Sequence, residues 1–229
     1  MGLMLEIKGV TYSYGCDDAA IKDVSVAVEE GSIVGVAGHN GAGKTTLLRI
    51  VSGMLKPSSG SLTFSPGVVR GEIAYVPDNG GFYPDLTALD NVLFRMGIAR
   101  VRVSRDLARD HLDQAGLLEC SNKLARSFSH GMKKRLAIAC ALSAQPRFVV
   151  LDESLNGIDP ESLETTLGCL RKAALDGSTI LISSHDLSLL EELCSSILIM
   201  DSSRCVFFET VDQLEKPLKS IYFERTTRR

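Results

Sequence analysis

The sequence predicts an α/β fold on a mainly parallel sheet, with a small antiparallel β part at the N-terminus and an α-helical part inserted in the middle. Three observations carry this. Four short runs are apolar throughout: Ile33-Val34-Gly35-Val36-Ala37, Phe148-Val149-Val150-Leu151, Ile180-Leu181-Ile182 and Ile197-Leu198-Ile199-Met200. Strands apolar on both faces belong to a parallel sheet covered by helices. Segments with helical spacing separate them, and alternating strand and helix builds an α/β core. Between Leu86 and Ala144 the strand signal disappears and only helical spacing remains.

In chain order, Leu5, Ile7 and Val10, then Val24, Val26 and Val28, predict strands with one wet face in a small antiparallel sheet. Lys44 to Met54 is expected to be helical. Within the insertion, Ser104-Arg105-Asp106-Leu107 opens a helix with Leu107, His111, Leu112 and Ala115 along one face. Met132, Leu136, Ala139 and Cys140 lie at helical spacing in another. Pro160 to Ala174 is a further helix, with proline suited to the first turn. No internal repeat or low-complexity linker divides the chain. It reads as one domain over 1–229, with a core from 1–78 and 145–229 and a helical subdomain over 79–144.

Composition narrows the function classes. Hydrophobic residues make up 45% and charged residues 23% of 229, which suits a globular domain able to bury a core. The net charge of −3 argues against a general nucleic-acid binder, which would be strongly basic. No apolar run approaches the roughly 18–20 residues that span a bilayer. The start, Met1 to Glu6, lacks the basic segment of a secretion signal, and Glu6 stands where a myristoylation motif needs Ser or Thr. The cysteines form no CxxC pair and are expected to be reduced, buried apolar residues.

Gly38-His39-Asn40-Gly41-Ala42-Gly43-Lys44-Thr45 fits G-x-x-x-x-G-K-[ST], between an apolar strand and a helix as the motif requires. Its glycines let backbone N–H groups turn inward onto a phosphate, and the helix start adds partial positive charge. Lys44 is expected to reach the terminal phosphates and the Thr45 hydroxyl to coordinate a bridging Mg²⁺. Thr46 completes the expected phosphate-binding set. The strand Phe148 to Leu151 then ends in Asp152-Glu153. Carboxylates there are costly unless compensated, as Mg²⁺ would do. Neighbouring strand residues point to opposite sides, which separates their tasks. Asp152 is the expected metal ligand, and Glu153 the residue that orients and polarises an attacking water.

Ser127-Phe128-Ser129-His130-Gly131-Met132-Lys133-Lys134-Arg135-Leu136 resembles the signature, usually written LSGGQ, of the ATP-binding subunits of ABC transporters. Ser129 and Gly131 match, while Phe128, His130 and Met132 depart. The run Gly131 to Arg135 is similar to the subgroup serving ABC-2-type export systems. Other landmarks follow in order. Tyr14-Gly15 resembles the aromatic that stacks on adenine. Asn156-Gly157-Ile158-Asp159 resembles the loop after the acidic pair, and Ser183-Ser184-His185-Asp186 the switch histidine that contacts the γ-phosphate. Two positions differ from the family pattern. Tyr75-Val76-Pro77-Asp78 places Asp where Gln is usual, an acceptor without a donor that would meet Mg²⁺ directly or through water in altered geometry. Ser154 stands where Pro is usual.

The resemblance implies a P-loop NTPase core that binds ATP and Mg²⁺. It implies ATP held across a homodimer or heterodimer, between Lys44 and Thr45 of one chain and Ser129, Gly131 and Asp159 of the other. Glu153 and His185 are then the catalytic pair. Separate transmembrane permease subunits are the implied partners, gripped near Phe82-Tyr83-Pro84-Asp85-Leu86, with the chain peripheral at the cytoplasmic face of the cell membrane and driving export. Two rivals are a soluble ABC ATPase acting on nucleic acid or a protein complex, and a nucleotide-sensing module without turnover. One motif set without sustained heptads argues against the first, and Asp152, Glu153 and His185 against the second. The end, Arg225-Thr226-Thr227-Arg228-Arg229, is expected to be a solvated tail or a contact with anionic headgroups.

Overall fold

The computed structural model describes residues 2–15, 19–68 and 73–226. Strands β1 (Leu3–Tyr12), β2 (Ile21–Glu29) and β4 (Ser59–Phe64) form an antiparallel sheet in the order β2-β1-β4. Ile21, Val24, Val26 and Val28 are buried while Asp23, Ser25 and Ala27 face outward, the alternation of a sheet wet on one face. The third strand, β4, escapes the sequence reading because SGSLTF carries little apolar signal and none of it is fully buried.

The main sheet has the order β5-β6-β7-β3-β8-β9, from β3 (Ile33–Ala37), β5 (Ala74–Val76), β6 (Phe148–Asp152), β7 (Thr179–Ser183), β8 (Ser196–Asp201) and β9 (Arg204–Thr210). Neighbours from β5 to β8 run parallel, and β9 returns antiparallel on β8. That return turns on Ser202 and Ser203, at φ 47° and 68°, the left-handed pair that two-residue hairpins need. Every residue of β3, β6 and β7 is buried, as their unbroken apolar sequence requires. The register sets Ser183 of β7 opposite both Val36 of β3 and Asp152 of β6, so the ends of three strands converge.

Helix α1 runs Lys44–Val51 and stops short of the expected Met54, because Ser52 caps it and Gly53 turns left-handed at φ 81°. Between 86 and 144 stand α2 (Ala88–Ile98), α3 (Arg105–Gln114) and α4 (His130–Ser143), with only an isolated bridge from Thr87 to Leu124 among the described residues. These helices enclose a core of their own around Val92, Met96, Leu112, Phe128 and Leu136. Leu107, expected on the inner face of α3, is 36% exposed, whereas Leu112 is fully buried. The remaining helices are α5 (Pro160–Leu175), α6 (Leu187–Leu193) and α7 (Leu218–Thr226). One core joins α5, α6 and part of α4 to the main sheet, and a second joins its other strand faces to α1 and the antiparallel sheet. Phe64 meets Phe148 edge-on at 5.7 Å where the two sheets touch.

Two expectations are corrected. Only Cys140 and Cys194 are buried; Cys120, Cys169 and Cys205 are partly exposed, and Cys16 lies outside the described residues. Arg225 and Thr226 are not a free tail but the last turn of α7. There Arg225 stacks 5.6 Å from the Phe207 ring centre and the Thr226 hydroxyl donates to the Tyr222 carbonyl at 2.8 Å. Residues 227–229 lie outside the described residues. No helix among the described residues is long and apolar enough to cross a membrane.

Candidate nucleotide site

The glycine-rich loop leaves the central strand β3 and enters α1. Gly43 sits at φ 105°, and a Cβ there would lie 2.6 Å from the Ala20 carbonyl, so both conformation and space demand glycine. Helix α1 starts without a side-chain cap and without an acid in its first turn. Its orphan N–H groups and positive dipole end are thereby left for an anion. Lys44 is buried, and its ammonium donates to the carbonyls of Gly38 at 2.7 Å and His39 at 3.4 Å. His39 braces the loop, with Nδ1 2.7 Å from the Asn40 carbonyl and Nε2 3.1 Å from Asp201.

Asp152 is 4% exposed, and hydroxyls surround its carboxylate. Thr45 Oγ1 and Ser183 Oγ donate to Oδ1 at 3.1 and 2.9 Å, and the Tyr75 hydroxyl donates to Oδ2 at 3.0 Å. Burial, then the adjacent Asp152 charge, pushes the Tyr75 phenol up to about 12, so it stays a donor. Sequence reasoning assigns Tyr75 and Ser183 no part here. Each lies in an apolar strand, and only the register shows which carboxylate it reaches.

The two acids part differently from the expected strand alternation. β6 ends at Asp152, and Glu153 turns left-handed at φ 52°. Glu153 Oε1 lies 3.0 Å from His185 Nε2 and 3.4 Å from Lys44 Nζ, while Oε2 accepts from Asn156 Nδ2 at 2.8 Å. Neither approach to Oε1 has hydrogen-bond alignment, which leaves it a buried acceptor without a directed donor. Such an atom, flanked by a cation and an imidazole, suits the proton of a water.

Lys44, Thr45, Glu153 and His185 line a pocket of about 340 Å³ that also includes Tyr14, Asn40, Gly41 and Thr46. Tyr14 stands at its mouth, 60% exposed, edge-on to Tyr12, with its hydroxyl 3.2 Å from Thr46 Oγ1. Ala42 is fully buried behind the loop. The Thr45 hydroxyl and Asp152 carboxylate offer two adjacent hard oxygens, which fits Mg²⁺ with its preference for one or two protein ligands beside phosphate and water. The described residues hold no cluster of three or more His, Cys, Asp or Glu that would cage a metal alone. Asp78 does not join this pair. Its Oδ1 accepts from Lys134 Nζ at 2.7 Å and its Oδ2 from Asn79 Nδ2 at 3.2 Å.

Ser129, Gly131 and Asp159 gather elsewhere. Ser129 is exposed and caps α4, its Oγ accepting from the Met132 N–H at 3.3 Å. Asp159 caps α5 by accepting from the Ser162 N–H at 3.0 Å, and that bond holds its carboxyl below the ordinary range. A Cβ at Gly131 would stand 3.7 Å from Asp159 Oδ2, and one at Gly157 2.9 Å from the His130 ring, so the two helix starts adjoin. None of the three lines the phosphate-loop pocket. The expected nucleotide residues therefore fall on two separate surfaces of one chain.

The family profile described as "ABC transporter" matches residues 21–156. An uncharacterized ABC transporter ATP-binding protein of Bacillus subtilis is 31% identical over 86% of this chain and 66% of its own length. The bacitracin transport ATP-binding protein of Bacillus licheniformis is 33% identical over 94% of this chain and 72% of its own length. A dimeric ATP-binding cassette solved in a post-hydrolysis state with ADP and phosphate superposes with a TM-score of 0.81 at 26% identity, covering 91% of this chain and 99% of the other.

Proposed function

This chain belongs to the ABC transporter family as an ATP-binding subunit, and we propose that it hydrolyses ATP in a dimer to drive a membrane transporter whose spanning subunits are separate chains. The observation that carries this is the meeting of Lys44, Glu153 and His185 in one pocket, beside the Thr45–Asp152 contact.

In this reading Tyr14 packs on adenine, and the loop from Gly38 to Thr46 holds the phosphates through its N–H groups and Lys44. Thr45 and Asp152 would hold Mg²⁺, which would supply neutralising charge to the phosphates. Glu153 Oε1 accepts the proton of the attacking water while His185 orients the γ-phosphate. Ser129, Gly131 and Asp159, which lie outside this pocket, serve the partner's nucleotide. ATP thereby favours the closed dimer, and hydrolysis removes the charge that holds it.

Docking to the membrane subunit is assigned to the groove of about 310 Å³ beside Phe82, Tyr83 and Phe94. Tyr83 and Phe94 contact edge-on at 4.9 Å while both remain about half exposed, which leaves an aromatic surface for a partner. Association with the cytoplasmic membrane face follows from that docking, and the export direction rests on the likeness of Gly131 to Arg135 to the ABC-2-type subgroup.

Glu153→Gln is the direct test. General-base help is worth roughly a hundred- to ten-thousand-fold, so phosphate release should fall by that factor while ATP binding persists and a dimer accumulates on size exclusion. Turnover at the parental rate would remove Glu153 from its role.

A further inference from the structure

Glu153 occupies backbone space that non-glycine residues rarely adopt. Such a conformation persists only where the surroundings over-determine it. Its N–H donates to Ser183 Oγ at 3.0 Å, and its carbonyl accepts from the Asn156 N–H at 3.3 Å and from Lys134 Nζ at 3.1 Å. Ser183 belongs to β7 and Asn156 to the same turn. Lys134 alone among these comes from α4.

Lys134 is 4% exposed, and a buried ammonium needs compensation. Its counter-charge is Asp78 at 2.7 Å, the residue that stands where the family usually has Gln. The neighbouring departure, Ser154, is also tied down, its hydroxyl donating to the carbonyls of Val76 at 2.9 Å and Asp152 at 3.3 Å. The loop just after β5, the turn after β6 and the second turn of α4 are thus joined through one ammonium. Ser129 caps the same helix five positions earlier, about 7.5 Å along the axis.

We propose that Lys134, held by Asp78, is a positioning residue that sets the Glu153 turn and so places Oε1 for attack, making the aim of that carboxylate depend on where α4 sits. Asp78 then serves the site through Lys134 rather than through the metal. This rests on the reading of Glu153 above, and the two fail separately.

The test is steady-state ATP hydrolysis with parallel nucleotide-binding and Mg²⁺ titrations. Lys134→Met keeps length and removes the charge. Its kcat should fall on the order of tenfold or more, since small misplacements of reacting groups are costly, while ATP affinity and the Mg²⁺ half-saturation point stay at parental values. Lys134→Arg should recover most of the rate. Asp78→Ala, at a half-exposed position, should lower kcat with the same unchanged Mg²⁺ requirement, and it keeps the test open if Lys134→Met does not fold. The double variant should lose no more than Lys134→Met alone, because both act through one contact. Parental kcat in Lys134→Met or Asp78→Ala, with Glu153→Gln inactive, overturns the proposal. So does a raised Mg²⁺ requirement in Asp78→Ala, which would make Asp78 a metal ligand. Parental activity in Glu153→Gln would instead overturn the reading of Glu153.

Discussion

Thr45 and Asp152 stand 107 positions apart in the chain, yet the hydroxyl of one donates to the carboxylate of the other at 3.1 Å. Thr45 opens α1 on the loop from β3, Asp152 ends β6, and those strands are not neighbours: β7 runs between them, and its Ser183 donates to the same carboxylate oxygen at 2.9 Å. The contact therefore depends on three strands ending level. A parallel sheet provides that, because its strands deliver their C-terminal ends to one edge, where ligands of open α/β sheets bind.

Tyr75 closes the other side of Asp152, and its loss tests how much that carboxylate depends on hydroxyl donors. Tyr75→Phe keeps the ring and deletes one hydrogen bond to a buried charge, a contact worth about 1.5–3 kcal/mol. Urea denaturation should show a stability loss of that order. An unchanged unfolding midpoint would mean that the bond contributes nothing net.

Gly43 tests the loop. Gly43→Ala puts a methyl 2.6 Å from the Ala20 backbone carbonyl and forces a φ of 105° on alanine. The loop must shift, so affinity for a fluorescent ATP analogue should fall at least about tenfold, a loss of roughly 1.4 kcal/mol in binding. Parental affinity would show that the loop tolerates a side chain.

His111 gives a pH signature remote from the site. Burial, assisted by the charge of Lys172 and opposed by that of Asp110, lowers its pKa below the ordinary 6.5. Between the lowered value and 6.5 the unfolded chain takes up a proton that the fold resists. This contribution is complete above pH 6.5 and is lost as pH falls through that window. The decline in melting temperature on acidification below 6.5 should be shallower in His111→Gln than in the parent. Identical slopes would show that His111 titrates alike in both states.

How far the sequence speaks differs from residue to residue. Helix α5 is legible almost to its ends because Pro160 marks its first turn. Strands β3, β6, β7 and β8 are legible because burial on both faces requires unbroken apolar runs. β4 is not, since a half-exposed edge strand needs no such run, and β5 has only three residues. Within the site, the loop from Gly38 to Thr45 announces itself because backbone conformation restricts residue type there. The Asp152–Glu153 pair is visible too, but strand alternation is not what parts its two side chains. The parting comes from the left-handed turn at Glu153, which no local residue preference predicts.

The chain order of residues alone determined the phosphate-binding loop, the paired acids, the apolar strands and the helical insertion, because each is a local pattern with a local physical cause. Only the tertiary structure decided that Tyr75 and Ser183 support Asp152, that Asp78 belongs to Lys134, and that Ser129, Gly131 and Asp159 lie outside the phosphate-loop pocket. Those outcomes depend on strand register and on how α4 packs against the sheet. Both are settled by burial of surfaces distant in sequence, which no short window of residues contains.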